Sequence, residues 1–129
     1  MNFAITVMAG PQSAQAPLTA LNFARAVVAG GHQLSRVFFY EDGVYTANTL
    51  SAPPQDEPDV TRAWSEFAAE YDIDLVICVA SALRRGVLDE TEADRYDKTA
   101  ANIADGFVIS GLGQLIDSAL NADRLVTFK

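Results

Sequence analysis

Short apolar runs alternate with segments of helical spacing along the chain, and this alternation restricts its fold more than any other feature. Residues 3–8 (FAITVM) are apolar and partly β-branched, with Gly10-Pro11 closing the run, so they read as a buried strand. Residues 14–28 place Leu21, Ala24, Val27 and Val28 at helical spacing, and Gly30-Gly31 stops that helix. Residues 33–40 (QLSRVFFY) read as the second strand. Residues 59–71 carry Val60, Ala63, Trp64, Phe67 and Ala68 on one stripe, a second helix. Residues 73–79 form a third strand around the apolar LVICV. Asp89, with Glu92 three positions on, resembles a capping box for a short helix reaching about Asp97. Residues 106–109 are a fourth strand. Ser110-Gly111-Leu112-Gly113 then opens a helix whose apolar face includes Leu112, Leu115, Ile116 and Leu120, and residues 125–128 are a fifth strand. Strands alternating with helices predict a three-layer α/β/α fold with a mainly parallel, five-stranded open sheet. No linker or composition shift divides the chain, so one domain over 1–129 is expected. Residues 41–58, rich in Pro, Asn, Ser and Asp, read as a loop long enough to serve as a binding surface.

Composition narrows the function. Half of the 129 residues are hydrophobic and 20% are charged, which excludes a disordered chain. Nine Lys and Arg against 17 Asp and Glu give a net charge of −8. Such a chain repels phosphate backbones and has no basic stripe, so direct binding to nucleic acid is disfavoured and basic protein surfaces are the better partners. The single cysteine allows no internal disulfide, which fits a reducing compartment. The start, Met1-Asn2-Phe3-Ala4-Ile5, lacks the charged region of a signal peptide. No apolar run approaches the roughly 20 residues a membrane span needs. The expected location is cytoplasmic, without membrane attachment.

In open parallel sheets, ligands sit beyond the carboxyl ends of the strands. Four segments should converge there: Ala9-Gly10-Pro11, Tyr40 with its loop, Cys78 to Arg85, and Ser110 to Gly113. Cys78 is the candidate nucleophile, since backbone N–H groups at a helix start and the nearby Arg84 and Arg85 favour thiolate over thiol. From position alone, a small buried hydrophobe in a central strand is the better reading of Cys78. His32, the only histidine, follows Gly30-Gly31 and belongs at the opposite end of the sheet, so a Cys-His pair is disfavoured and a loop role is expected. One Cys and one His on opposite edges supply no zinc or iron–sulfur ligand set. Gly10-Pro11 and the Gly-Leu-Gly of residues 111–113 lack both the dinucleotide fingerprint and a phosphate-loop lysine. Asp89, Glu90 and Glu92 are better explained by capping than by acid–base catalysis. Of the adjacent Arg84 and Arg85, at most one should face Cys78, leaving the other for a carboxylate across an interface. Trp64 and Phe38-Phe39-Tyr40 are read as core or subunit contact.

Several of these segments together resemble the TusD/DsrE family. They are Val37-Phe38-Phe39-Tyr40, Gly43-Val44-Tyr45, Ala47-Asn48, Leu50, Asp56-Glu57 and Arg62-Ala63-Trp64, then Ile77-Cys78-Val79-Ala80. Leu83-Arg84-Arg85-Gly86-Val87, Asp89-Glu90-Thr91-Glu92-Ala93, Ser110-Gly111-Leu112-Gly113 and Asp123-Arg124 continue the likeness over essentially the whole chain. The resemblance implies a DsrE-like fold and a sulfurtransferase subunit with Cys78 as its catalytic residue. Arg84, Arg85, Tyr40 and Ser110 would support that cysteine. It implies assembly with TusB-like and TusC-like subunits as a dimer of heterotrimers. Sulfur would come from a TusA-like donor and pass to a TusE-like acceptor for 2-thiolation of the tRNA wobble uridine. A DsrE-type carrier in dissimilatory sulfur oxidation and a non-catalytic scaffold are the alternatives. The exchange needs no metal or organic cofactor, and the resolving thiol belongs to the partner. A relay of this kind expects the thiol to lie where solvent and visiting proteins reach it.

Overall fold

The computed structural model describes residues 1–129. Five strands, β1 (Asn2–Val7), β2 (Gln33–Phe39), β3 (Asp74–Cys78), β4 (Phe107–Ser110) and β5 (Arg124–Phe128), form one sheet in the order β4-β3-β2-β1-β5. Every neighbouring pair is parallel, so the sheet is wholly rather than mainly parallel. The helices are α1 (Ala16–Ala29), α2 (Val60–Tyr71), α3 (Val79–Arg84), α4 (Glu90–Arg95) and α5 (Gly113–Asn121).

The connections from β1 to β4 all step toward one edge, whereas the one from β4 to β5 returns across the sheet. Crossovers of one hand therefore put α1 and α2 on one face and α5 alone on the other. The first face holds a core of twenty buried residues, in which Ile5, Val37, Phe39, Leu75 and Ile77 meet Leu21 of α1 and Trp64 and Phe67 of α2. Trp64 is closed off entirely, with its Nε1–H donating to the Pro17 carbonyl at 3.1 Å.

Local chemistry sets the helix ends. Asp59 caps α2 by accepting from the Arg62 N–H at 3.1 Å, and Asp72, at φ +54°, turns the chain out of it. Asp89 caps α4 by accepting from the Glu92 N–H at 2.8 Å, as the capping pattern requires. Glu92 gives no return bond. Its side chain is buried, with Oε1 3.4 Å from Arg95 Nη1 and Oε2 unpartnered.

One expectation changes. Residues 41–58 are not loop throughout: Glu41–Ala47 is a 3₁₀ segment with Gly43, Val44, Thr46 and Ala47 buried. Gly43 is forced to be glycine, because a Cβ there would stand 2.1 Å from the Val7 carbonyl oxygen. The apolar face that the spacing gives α5 is covered only in part. Only Leu115 packs inward, while Leu112, Ile116 and Leu120 face solvent, Leu120 at 79% exposure.

Candidate functional site

The second face of the sheet has a much smaller interior. Alternation along β2 and β3 turns Phe38, Val76 and Cys78 toward α5, where they form a buried trio with Tyr40 and Leu115 packed against it. Five strands span about 19 Å, and a helix is about 10 Å across, so one helix cannot cover the face. The uncovered part lies at the β3–β4 edge. Val108, whose backbone is in register with Val76, is exposed there.

An arginine inside β2 holds α5 in place. Arg36 Nε donates to Asp74 at 2.6 Å, and Nη1 donates to the Gln114 carbonyl at 3.0 Å and to Asp117 at 3.1 Å. Burial opposes the guanidinium charge, but the bonds and attraction of Asp74, then Asp117, outweigh it and raise the pKa above its ordinary value. Sequence reading passed over Arg36. Its signal is a charged residue within an otherwise largely apolar strand.

Cys78 is the last residue of β3 and the N-cap of α3, so its Cα sits where the free backbone N–H groups of the helix begin. Its side chain makes no capping bond. The expected open thiol is not found: in the single chain Cys78 is only 2% exposed. The physical reason is local, since the alternation that points it away from the large core also points it under Leu115 and Tyr40. This cover is thin, because both Tyr40 and Leu115 are themselves only partly buried.

The structure brings three of the expected residues together. Ser110 is in register with Cys78 on the next strand, and Tyr40 follows β2 and packs against the same trio. The arginines go elsewhere. Arg85 donates through Nε to Asp42 at 2.8 Å and through Nη1 to the Ser81 carbonyl at 3.1 Å, tying α3 to the 3₁₀ segment. Arg84 is exposed, and no carboxylate pairs with it. A second tie runs from the Glu41 N–H to the Ser81 hydroxyl at 3.1 Å, with Glu41 held at φ +49°. No sequence signal marks that strained residue. His32 lies at the far end of the sheet, 3.1 Å from the terminal amine of Met1 and edge-on to Phe3, so it takes no part.

These features describe a parallel α/β protein with one thiol at a strand end, under the thinner of two covering layers. The chain belongs to the DsrE/DsrF-like family, whose pattern matches residues 1–128. It is 49% identical over 128 residues to an Allochromatium vinosum protein called "Putative sulfurtransferase DsrE", covering 99% of this chain and 98% of that one. The crystal structure of the YchN protein from E. coli has the same fold, with a TM-score of 0.80, 19% identity and 99% of both chains covered. The family assignment supports sulfur transfer as the general activity. No helix is long and apolar enough to cross a membrane.

Proposed function

We propose that Cys78 carries a sulfane sulfur as a persulfide between partner proteins. The observation that carries this reading is the position of the chain's only cysteine, at the carboxyl end of β3 beneath two partly buried side chains, in a chain 49% identical to a protein named for sulfur transfer. The Cys78 thiolate attacks the outer sulfur of a donor persulfide, and the donor leaves as a thiolate. An acceptor thiolate then attacks the outer sulfur on Cys78, which returns to its starting form. Each step makes one S–S bond and breaks one, so no net oxidant is required. Leu115 and Tyr40 must move aside for either partner, and between encounters they keep reductants from the persulfide.

In this reading Tyr40 and Ser110 line the transferred sulfur, while Arg85 ties α3 to the 3₁₀ segment. The partners in this reading are a TusA-like donor and a TusE-like acceptor in the cytoplasm. TusB-like and TusC-like subunits would assemble over the apolar stripe of α5. The outlet is 2-thiolation of the tRNA wobble uridine. Sulfur oxidation through a DsrE-type carrier is the second reading, and the Allochromatium relative carries the DsrE name. Labelled sulfur offered from a persulfide donor should bind the native chain and not Cys78→Ser; equal labelling of the two would overturn the proposal. Thiolated tRNA that persists in a strain lacking this chain would exclude the first outlet and leave the second.

A further inference from the structure

Beyond the thiol, one groove departs from the charge pattern of the whole molecule. It lies between the end of α3 and the segment after α4, encloses about 520 Å³, and is lined by Leu83, Arg84, Leu88, Tyr96, Lys98 and Thr99 among others. That volume is within the range of about 300–1,000 Å³ usual for binding sites. Its lining contains two cations and no carboxylate. Four other surface clefts each carry at least one acid: Glu57 and Asp59 in the first, Asp59 and Asp105 in the second, Asp72 in the third, and Asp89, Glu90 and Asp105 in the fourth. In a chain of net charge −8, neither Arg84 nor Lys98 has a carboxylate partner of its own. The contrast with Arg85, one residue on and bound to Asp42, is direct.

We propose that this groove receives an acidic, apolar peptide segment of the protein that exchanges sulfur with Cys78; the identity of that partner rests on the carrier reading above. The place fits, since Leu83 and Arg84 follow Cys78 by five and six residues, about 8–9 Å along a helix axis. The chemistry fits as well. Leu83, Leu88 and the Tyr96 ring offer apolar contact, and the two unpaired cations offer charge complementarity to carboxylates. Nucleic acid is the weaker candidate, because the acidic remainder of the surface repels a phosphate backbone. Contacts of this kind speed encounter more than they deepen affinity, which suits a carrier that must let its partner go.

The test uses the full chain carrying Cys78→Ser, so that binding is read without sulfur chemistry. The probe is a short fluorescein-labelled peptide with a Glu-Leu-Glu-Phe-Glu centre, followed by anisotropy. Its affinity should fall as salt is raised and should drop at least about tenfold, or 1.4 kcal/mol, in R84E/K98E. A second peptide with Lys in place of each Glu should bind R84E/K98E better than it binds the parent, which also shows that the variant is folded. Three results would overturn the proposal: equal affinity of the acidic peptide for parent and variant, displacement of the peptide by inorganic sulfate beyond the effect of ionic strength, or a change in particle mass on charge reversal, which would make the groove a subunit boundary. Persulfide uptake by the unsubstituted chain is measured separately. Its failure would strike the carrier reading and leave the peptide result standing.

Discussion

The two faces of the sheet are built from the same strands, yet they do different work. On one face, α1, α2 and the 3₁₀ segment seal twenty residues, including every fully closed large side chain except Phe38 and Val76. On the other, a single nine-residue helix covers a buried trio, and Ile116 on that helix is 60% exposed. The thick face supplies stability through area removed from water. The thin face buries the thiol beneath two partly buried side chains and presents an apolar stripe that nothing in the single chain covers. In the proposed reading stability and chemistry are separated by the plane of the sheet, with alternation along β3 turning Ile77 to the large core and Cys78 to the small one.

Substitutions on the two faces should differ in size and kind. Trp64→Ala removes the largest closed side chain of the thick face and should cost about 3–5 kcal/mol in denaturant unfolding; a loss below about 1 kcal/mol would break the comparison. Gly43→Ala drives a Cβ against the Val7 carbonyl and should cost about 1–3 kcal/mol by the same measurement, the strain being on backbone that cannot easily give way. Leu115→Ala thins the cover over Cys78. It should cost only about 1 kcal/mol yet speed modification of the native thiol by a disulfide reagent, and unchanged reactivity would show that access does not run past Leu115. Ile116→Ser should alter stability of the single chain by no more than about 0.5 kcal/mol while weakening association with related subunits in sedimentation. Association that survives the change would remove α5 from the interface.

Much of this was legible in the sequence because period and punctuation are local. The five strands, the cap at Asp89 and the place of His32 at the far end all follow from neighbours a few residues apart. What was not legible depends on which face a residue meets in three dimensions. Leu112, Ile116 and Leu120 have helical spacing whether a sheet or a partner covers them, so periodicity put them on one apolar face without saying what covers it. The 3₁₀ segment is ordered by the close approach of Gly43 to β1, a contact between distant parts of the chain. Arg84 and Arg85 are alike as letters, and only the position of Asp42 distinguishes them. The thiol's burial was the reading its strand position favoured; the open thiol expected of a relay was not found, and which side chains cover it depends on its face of β3.

The decisive observation is intact mass spectrometry of the folded chain after exposure to a small persulfide donor, beside the same experiment in denaturant. The account predicts that the folded chain gains one sulfur atom, that a reductant removes it, and that Cys78→Ser gains none. Uptake confined to the denatured chain would mean that the thin face does not open, and Cys78 would then be a packing residue only.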